Sequence, residues 1–471
     1  MNNPPSSTQA FKRYHIETRP APDIVKWPSR FRVDVSKVGL AKHLIKEFIE
    51  YKGDLDIVLS RPCMYGVFSG PVGGFAPREQ LCVGCLRCTT QHPDFVTIRH
   101  NPERRLLGDS YFTFDHINAV SYESSMGMIP VRGAGYRGKF GGEGWDGMWT
   151  DMSEIVRPTR DGIHGREFIS TVVDIGAKPS YLQFDDHGQP INATPTTFTL
   201  PLPMLLDTPP HAVATSSTYK LFAQAAAQGE TMVFLPLNAV VENNLRGAHI
   251  VPLVRSGDAE RLRILPDTPK MIALEGWDAD LFAQLADAFP QTLICLRTPF
   301  LSADEYLALF AKGVRLFHLT ANYHGRGNDE RFVLDLIRDA HLAFVARGLR
   351  EEVTLIGSGG VIAAEHVPKA IIAGLDAVAL DTPLLVALQA TFRGEVLDRE
   401  RADISLPSNL TLAWGTQRIM NLLGTWRDQM LEILGAMGLR EVRRLRGEIG
   451  RAMFQIDLER EAFAEIEGYP G

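Results

Sequence analysis

From about residue 200 onward, short apolar runs alternate with stretches whose apolar residues recur at helical spacing. The runs fall at 201–206 (PLPMLL), 231–237 (TMVFLPL), 249–254 (HIVPLV), 270–275 (KMIALE), 291–297 (QTLICLR), 314–320 (VRLFHLT), 353–357 (VTLIG) and 376–381 (DAVALD). Helical patterns lie between most of them, at 218–228, 279–288, 303–312, 329–347 and 363–374. This alternation predicts parallel strands joined by crossover helices. Eight such strands in roughly 190 residues is the count of a compact (β/α)8 barrel, the TIM-barrel class of α/β fold. A doubly wound sheet would place a Gly-rich turn after its first strand, and residues 205–214 read LLDTPPHAVA instead.

The flanks differ. Residues 1 to about 30 are rich in Pro, Ser and Thr, and a flexible arm is expected over 1–35. Residues 36–51 have helical apolar spacing. The stretch 60–165 reads as loop-rich, and no repeat is visible. Residues 413–438 carry a strong apolar stripe ending at Gly438, and 440–467 read as a mixed-charge helix. Four units are therefore expected: the arm, a loop-rich region over 36–165, the barrel over 166–395 and a C-terminal helical extension over 396–471.

Composition narrows the class. The chain has 471 residues, 45% hydrophobic and 22% charged, near globular averages. No apolar run reaches the ~18 residues of a membrane span. Met1 to Arg13 has no hydrophobic core of a signal peptide, so a cytoplasmic protein is expected. A net charge of −7 argues against a nucleic-acid surface.

Five cysteines are too few for a disulfide scaffold in a chain this long. Cys82, Cys85 and Cys88 form C-x-x-C-x-x-C, and Cys63 lies upstream in RPCMYGVFSGP. This triple spacing suits three corners of an iron–sulfur cube, the start of the bacterial ferredoxin pattern. The local fourth cysteine of that pattern is missing. Cys63 is the expected fourth ligand, with His92 as its substitute. A structural zinc is the alternative, although zinc sites usually offer two separated C-x-x-C pairs. Cys295, inside an apolar run, reads as core.

Gly133-Ala134-Gly135-Tyr136-Arg137-Gly138 matches the dinucleotide fingerprint, but Gly141, Gly142, Gly144 and Gly147 follow and oppose the helix such a site needs. It reads as a Gly-rich loop passing close to something flat or bulky, a cofactor in the sharper version.

The last two β/α units carry a second signal. The seventh strand ends in Gly357-Ser358-Gly359-Gly360, and the eighth runs into Asp381-Thr382-Pro383. Loops in these places commonly bind a phosphate through backbone N–H groups. An ordinary glycine turn is the alternative, and Asp381 would repel a nearby phosphate. Arg297 ends the fifth strand, where a cation can hold negative charge on a ligand or form a rim salt bridge. The sixth strand leads through His318 and Thr320 to Tyr323, His324, Gly325, Arg326 and Gly327. Tyr323, His324 and Arg326 are expected to supply acid/base chemistry or to anchor a substrate.

The GSGG loop, the DAVALDTPLL segment and the C-terminal LGAMGLREVRRLRGE resemble the FMN-binding domain of glutamate synthase and its stand-alone relatives. MSEIVRPTRDGIHGREFISTVVDIG resembles the lead-in to that barrel, and CVGCLRC resembles the ferredoxin-like module of some relatives. The resemblance implies FMN at the barrel mouth. Gly357, Ser358, Gly359, Gly360, Asp381 and Thr382 would surround its phosphate, and Arg297 would replace the family's lysine beside the ring. It also implies a [4Fe-4S] cluster, a small organic substrate, an electron-donor protein or subunit, and a homo- or hetero-oligomer. The first-strand loop DTPPHAVATSS departs from the family's Met-Ser-x-Gly contact. A second function follows from that departure: a non-catalytic electron-transfer or scaffold subunit with a degenerate flavin barrel. A zinc-stabilised barrel enzyme acting on a phosphorylated metabolite is the third.

Overall fold

All eight apolar runs become strands of one closed parallel barrel in the computed structural model. They are β1 (Met204–Leu206), β2 (Val233–Pro236), β3 (Ile250–Val254), β4 (Met271–Glu275), β5 (Leu293–Pro299), β6 (Leu316–Thr320), β7 (Thr354–Ser358) and β8 (Ala377–Leu380). Each pairs with the next, and β8 closes on β1 through Val378–Met204, Ala379–Leu205 and Leu380–Leu206. The structure describes residues 14–59, 63–130, 144–150, 169–178, 183–191, 196–258, 261, 264–265, 267–448, 450, 452–466 and 468.

The strands are apolar without alternation because both faces are covered, one by the barrel interior and one by helices. Every position of β3 and β8 is buried. The five expected helices appear as Ser216–Gln228, Ala279–Ala288, Ala303–Ala311, Val333–Val345 and His366–Ala373. Local signals start them: Asp278 accepts the Leu281 N–H at 3.0 Å, and Ser302 with Glu305 forms a capping box. Across the barrel's N-terminal end runs an antiparallel ribbon of Val173–Gly176 and Thr197–Leu200. The Thr354 hydroxyl ties this ribbon to the start of β7, donating to the Gly176 carbonyl at 2.8 Å.

Three expectations for the flanks are corrected. The described part of the arm, from residue 14, is docked. Ile16 and Ala21 are buried, Arg418 donates to the Ala21 carbonyl at 2.9 Å, and Asn421 donates to the Arg19 carbonyl at 2.7 Å. Its last residues, Phe31–Val35, pair antiparallel with Val96–His100, so they belong with the cysteine region. The loop-rich stretch contains a 13-residue helix, Phe114–Met126, packed on the C-terminal helix Leu412–Ala436. The mixed-charge helix over 440–467 is shorter than expected. Among the described residues, the chain forms a 3-10 turn at Val442–Leu445, a strand at Ala452–Phe454 and an α-helix only over Gln455–Phe463, with Gly447 at φ +72 breaking the run.

Candidate active site and thiol cluster

The C-terminal strand ends bring charge into a buried mouth. β1 delivers Asp207, 4% exposed, and β5 delivers Arg297. The guanidinium grips the carboxylate with two hydrogen bonds, Nη1 to Oδ1 at 2.5 Å and Nη2 to Oδ2 at 3.0 Å. Burial raises the Asp207 carboxyl, but Arg297 and the other groups around it more than reverse this, leaving it below the usual carboxylate range.

β6 contributes His318, fully buried and packed on Phe234 at 4.4 Å between ring centroids. Its Nε2 meets the Ser358 hydroxyl at 3.0 Å. Burial, with Arg297 nearby, pushes the imidazole down to about 3, so it stays neutral. Among the described residues, His318 Nδ1 and the Thr208 hydroxyl are buried polar atoms without a hydrogen-bond partner. Such orphans are costly, and two of them at one barrel mouth suit a ligand with polar edges.

β7 and β8 end in the expected glycine loop and in Asp381. Gly359 (φ +93) and Gly360 (φ +74) adopt backbone that favours glycine, and a Cβ on Gly359 would lie 2.5 Å from the Asn322 carbonyl oxygen. The Gly360 carbonyl accepts from Tyr111 Oη and Trp145 Nε1, both at 2.7 Å. Thus the loop is covered by residues from the N-terminal half. Asp381 is buried, and its Oδ1 accepts from the Thr382 N–H and, at 2.9 Å, from the Thr382 hydroxyl. The Gly359 backbone lies close enough to favour its charged form. Burial and the Asp207 charge together raise its carboxyl to about 7.

The loop after β6 splits the expected catalytic trio. Tyr323 is 7% exposed and lies within electrostatic reach of Asp381, Asp207 and Arg297. His324 is directed to the N-terminal half instead. Its Nε2 meets Asp109 Oδ2 at 2.9 Å, and its ring stacks on Tyr111 at 5.3 Å. The Arg326 guanidinium donates to the Glu330 carbonyl at 3.2 Å and lies over the Phe332 ring. So Tyr323 joins the centre with Arg297, while His324 and Arg326 do not. Asp109, His324 and Glu395 offer ligand atoms within 4.8 Å of one another, but both carboxylates already accept hydrogen bonds from surrounding loops.

Asp207 is the functional candidate that sequence reasoning missed. Its signal was present: an acid directly after the apolar run PLPMLL, at the C-terminal end of a barrel strand. A cleft of about 610 Å³ opens elsewhere, beside the Thr197–Leu200 ribbon at Thr231, His249 and Lys270. Those residues precede their strands, at the end of the barrel that does not carry chemistry.

In the cysteine region, Cys82 is buried with Phe31, Val33 and Val67. It is within electrostatic reach of Cys88, Cys63 and Cys85, and Cys88 of Cys85 and Cys63. Burial, the largest cause, pushes the Cys82 thiol up to about 11. Left-handed backbone at Gly84 and Leu86 turns the chain between the thiols, and a Cβ on Gly84 would strike the Phe31 ring. Among the described residues, no three of these sulfurs lie mutually within 4.8 Å. A tetrahedral zinc with ~2.3 Å bonds would need them about 3.8 Å apart. His92 stacks on Phe95 and lies tilted against His43. Cys295 is fully buried on β5, as expected for core. Gly133 to Gly142 and most of the lead-in segment lie outside the described residues, while Trp145 just beyond reaches the barrel loop.

The fold and its charged strand ends define a (β/α)8 barrel protein with its polar centre at the C-terminal mouth. Its curated relatives are glutamate synthases, which bears out the resemblance read from the residues. The archaeal-type glutamate synthase [NADPH] of Dehalococcoides mccartyi is 24% identical over 437 residues, 79% of this chain and 86% of the relative. The archaeal glutamate synthase [NADPH] of Archaeoglobus fulgidus is 22% identical over 485 residues, 86% of this chain and 93% of the relative. That of Methanocaldococcus jannaschii reaches 34%, over 112 residues and 22% of each chain. No family model matches. Among solved structures, a flavocytochrome b2 variant with sulfite bound aligns over 69% of this chain and 79% of its own, with 12% identity and a TM-score of 0.44. Among the described residues, no helix is long and apolar enough to cross a membrane.

Proposed function

We propose that this chain is a flavin-dependent oxidoreductase of the glutamate synthase type. FMN would be held at the barrel mouth, and a [4Fe-4S] cluster would be held by Cys63, Cys82, Cys85 and Cys88. The substrate would be a small organic molecule, of the amino- or keto-acid class the relatives' names indicate. The observation that carries this reading is one chain joining four convergent thiols to a barrel mouth with a buried anion cradle. The orphaned His318 Nδ1 and Thr208 Oγ1 support a polar ligand there. The C-x-x-C-x-x-C spacing along the sequence favours a cluster over zinc.

The two groups would turn single electrons into two-electron chemistry. The chain's own residues do the rest. Arg297 would hold negative charge at the ring end, its orientation fixed by Asp207. Neutral His318 would offer one hydrogen bond through Nδ1. Tyr323 would keep its hydroxyl proton at neutral pH, since burial raises it well above its usual value, and would orient the substrate as a donor. Tyr111 and Trp145 would close the loop against water.

An electron-transfer or scaffold subunit is the second reading. The specific observation in its favour is that the mouth already holds its own charges, Asp207 on Arg297 and Asp381 in the cradle. One visible spectrum of the purified protein, with iron and sulfide analysis, separates the two. Flavin bands over a broad iron–sulfur shoulder, with about four iron and four sulfide per chain, support the enzyme. The shoulder alone supports the subunit. Stoichiometric zinc without sulfide would overturn the cluster assignment.

A further inference from the structure

The cradle expected to hold a phosphate is already occupied by an anion from the same chain. Asp381 follows β8, and its Oδ1 accepts from the N–H and the hydroxyl of Thr382. The backbone of Gly359, in the glycine loop that follows β7, lies close enough to favour the charged form of Asp381. These are the two loops whose N–H groups would meet a phosphate. The groups facing Asp381 come from four elements. Asp207 arrives from β1 and repels it. Tyr323 from the β6 loop and Tyr111 from the N-terminal half both feel its charge. Thr382 caps it on its own element. Arg297, the cation of the mouth, is committed to Asp207 by two hydrogen bonds.

Resting on the flavin reading above, we propose that the Asp381 carboxylate competes with the flavin phosphate, so that FMN enters this barrel with uptake of one proton by Asp381. A phosphate dianion and a carboxylate cannot share these donors, since two like charges at contact in a buried site cannot both stay ionised. As the phosphate arrives, Asp381 takes a proton from solvent and is neutral in the complex. No covalent bond is made or broken. The raised carboxyl, about 7, puts this exchange in the neutral range. Riboflavin, which has no phosphate, asks nothing of Asp381.

The clean substitution is Asp381→Asn, which keeps the shape and removes the charge. A side chain on Gly359 would meet the Ala321 and Asn322 carbonyl oxygens and test packing instead. FMN and riboflavin are titrated separately into the full chain by flavin fluorescence, with the wild type needing no substitution at all. For the wild type, FMN should bind about tenfold more weakly near pH 8 than near pH 6, the change for uptake of one proton by a group whose midpoint lies between the two. For Asp381→Asn, FMN binding should be at least as tight as the wild type's at the lower pH and should lose most of that dependence. Riboflavin should bind both proteins alike at both pH values. Wild-type FMN affinity equal to that of Asp381→Asn at both pH values would overturn the proposal and leave the flavin reading intact. Riboflavin binding without FMN binding in Asp381→Asn would place the phosphate elsewhere and overturn it as well. If neither flavin binds either protein, the flavin reading itself fails.

Discussion

The barrel and the cysteine region solve the same problem by different means. The barrel buries eight strands around a continuous apolar core, and its charged mouth is internally paired. Among the described residues, the buried cluster beside the cysteines has four members, Phe31, Val33, Val67 and Cys82, one of them a thiol. Around it Val38, Ile45, Ile49, Met64 and Val72 stay exposed. Packing is sufficient to hold the first. The second is too small to be held by packing alone, the situation in which domains use a metal as a staple.

The largest effect should therefore come from the thiols. Cys82→Ser removes an expected ligand and a member of that small core. We expect loss of all iron, and rapid protease cleavage between residues 31 and 100. The barrel should stay resistant, with its thermal transition little changed. Metal binding energy of this kind is folding energy. An iron-free variant as protease-resistant as the wild type would erase the contrast between the two regions.

The same contrast explains what was legible in the sequence. Barrel strands are buried on both faces, so each appears as an apolar run, and all eight were read within three residues of their ends. The helix Phe114–Met126 was missed because the face it buries is partly polar: Ser124, Glu123 and Ser121 meet Asn421, Trp426 and Arg418 of the C-terminal helix, and Asn118 accepts from Arg104. Its ends were nonetheless marked by Thr113 and by Gly127 at φ +64. Polar docking hid the arm in the same way, since residues 14–30 are tied down by hydrogen bonds with Arg418, Asn421, Gln389 and Trp414. At the site, the strand ends carrying Arg297, the GSGG loop and Asp381 were legible from topology. The Asp207–Arg297 pair was not, because a contact across 90 residues leaves no local pattern.

Within the barrel, the two mouth carboxylates should titrate in opposite senses. Asp207 is held below its unfolded value, so its contribution is present above about pH 4 and is lost as pH falls through the lower folded value. Removing it with Asp207→Ala leaves the Arg297 guanidinium without its hydrogen-bonded carboxylate, which should cost about 3–5 kcal/mol by chemical denaturation. Asp381 is raised to about 7, so its contribution is present below about pH 4 and is lost as pH rises toward neutrality. Asp381→Asn should therefore be more stable than the wild type near pH 8 and lose that advantage near pH 4. Equal stability at both pH values would mean the carboxylate is not buried as an anion.

The smallest expected effect is at His324, where the two regions touch. Its Nε2 meets Asp109 Oδ2 at 2.9 Å, and its ring stacks on Tyr111, whose hydroxyl holds the Gly360 carbonyl. Asp109 keeps other donors, the N–H groups of Tyr111, Phe112 and Val396. His324→Ala therefore removes one charge-assisted hydrogen bond without orphaning the carboxylate, a loss of about 1.5–3 kcal/mol. Because this imidazole is directed at Asp109 while Tyr323 joins Arg297, we expect the variant to lose some flavin and keep a normal rate per bound flavin. Tyr323→Phe should do the reverse, retaining flavin while the rate falls. Flavin content and substrate-dependent flavin reduction, measured on one preparation of each variant, decide between them. A drop of about 10²-fold per bound flavin in His324→Ala would return His324 to the acid/base role the sequence first indicated. It would also make the contact between the two regions part of the chemistry, and not only part of the fold.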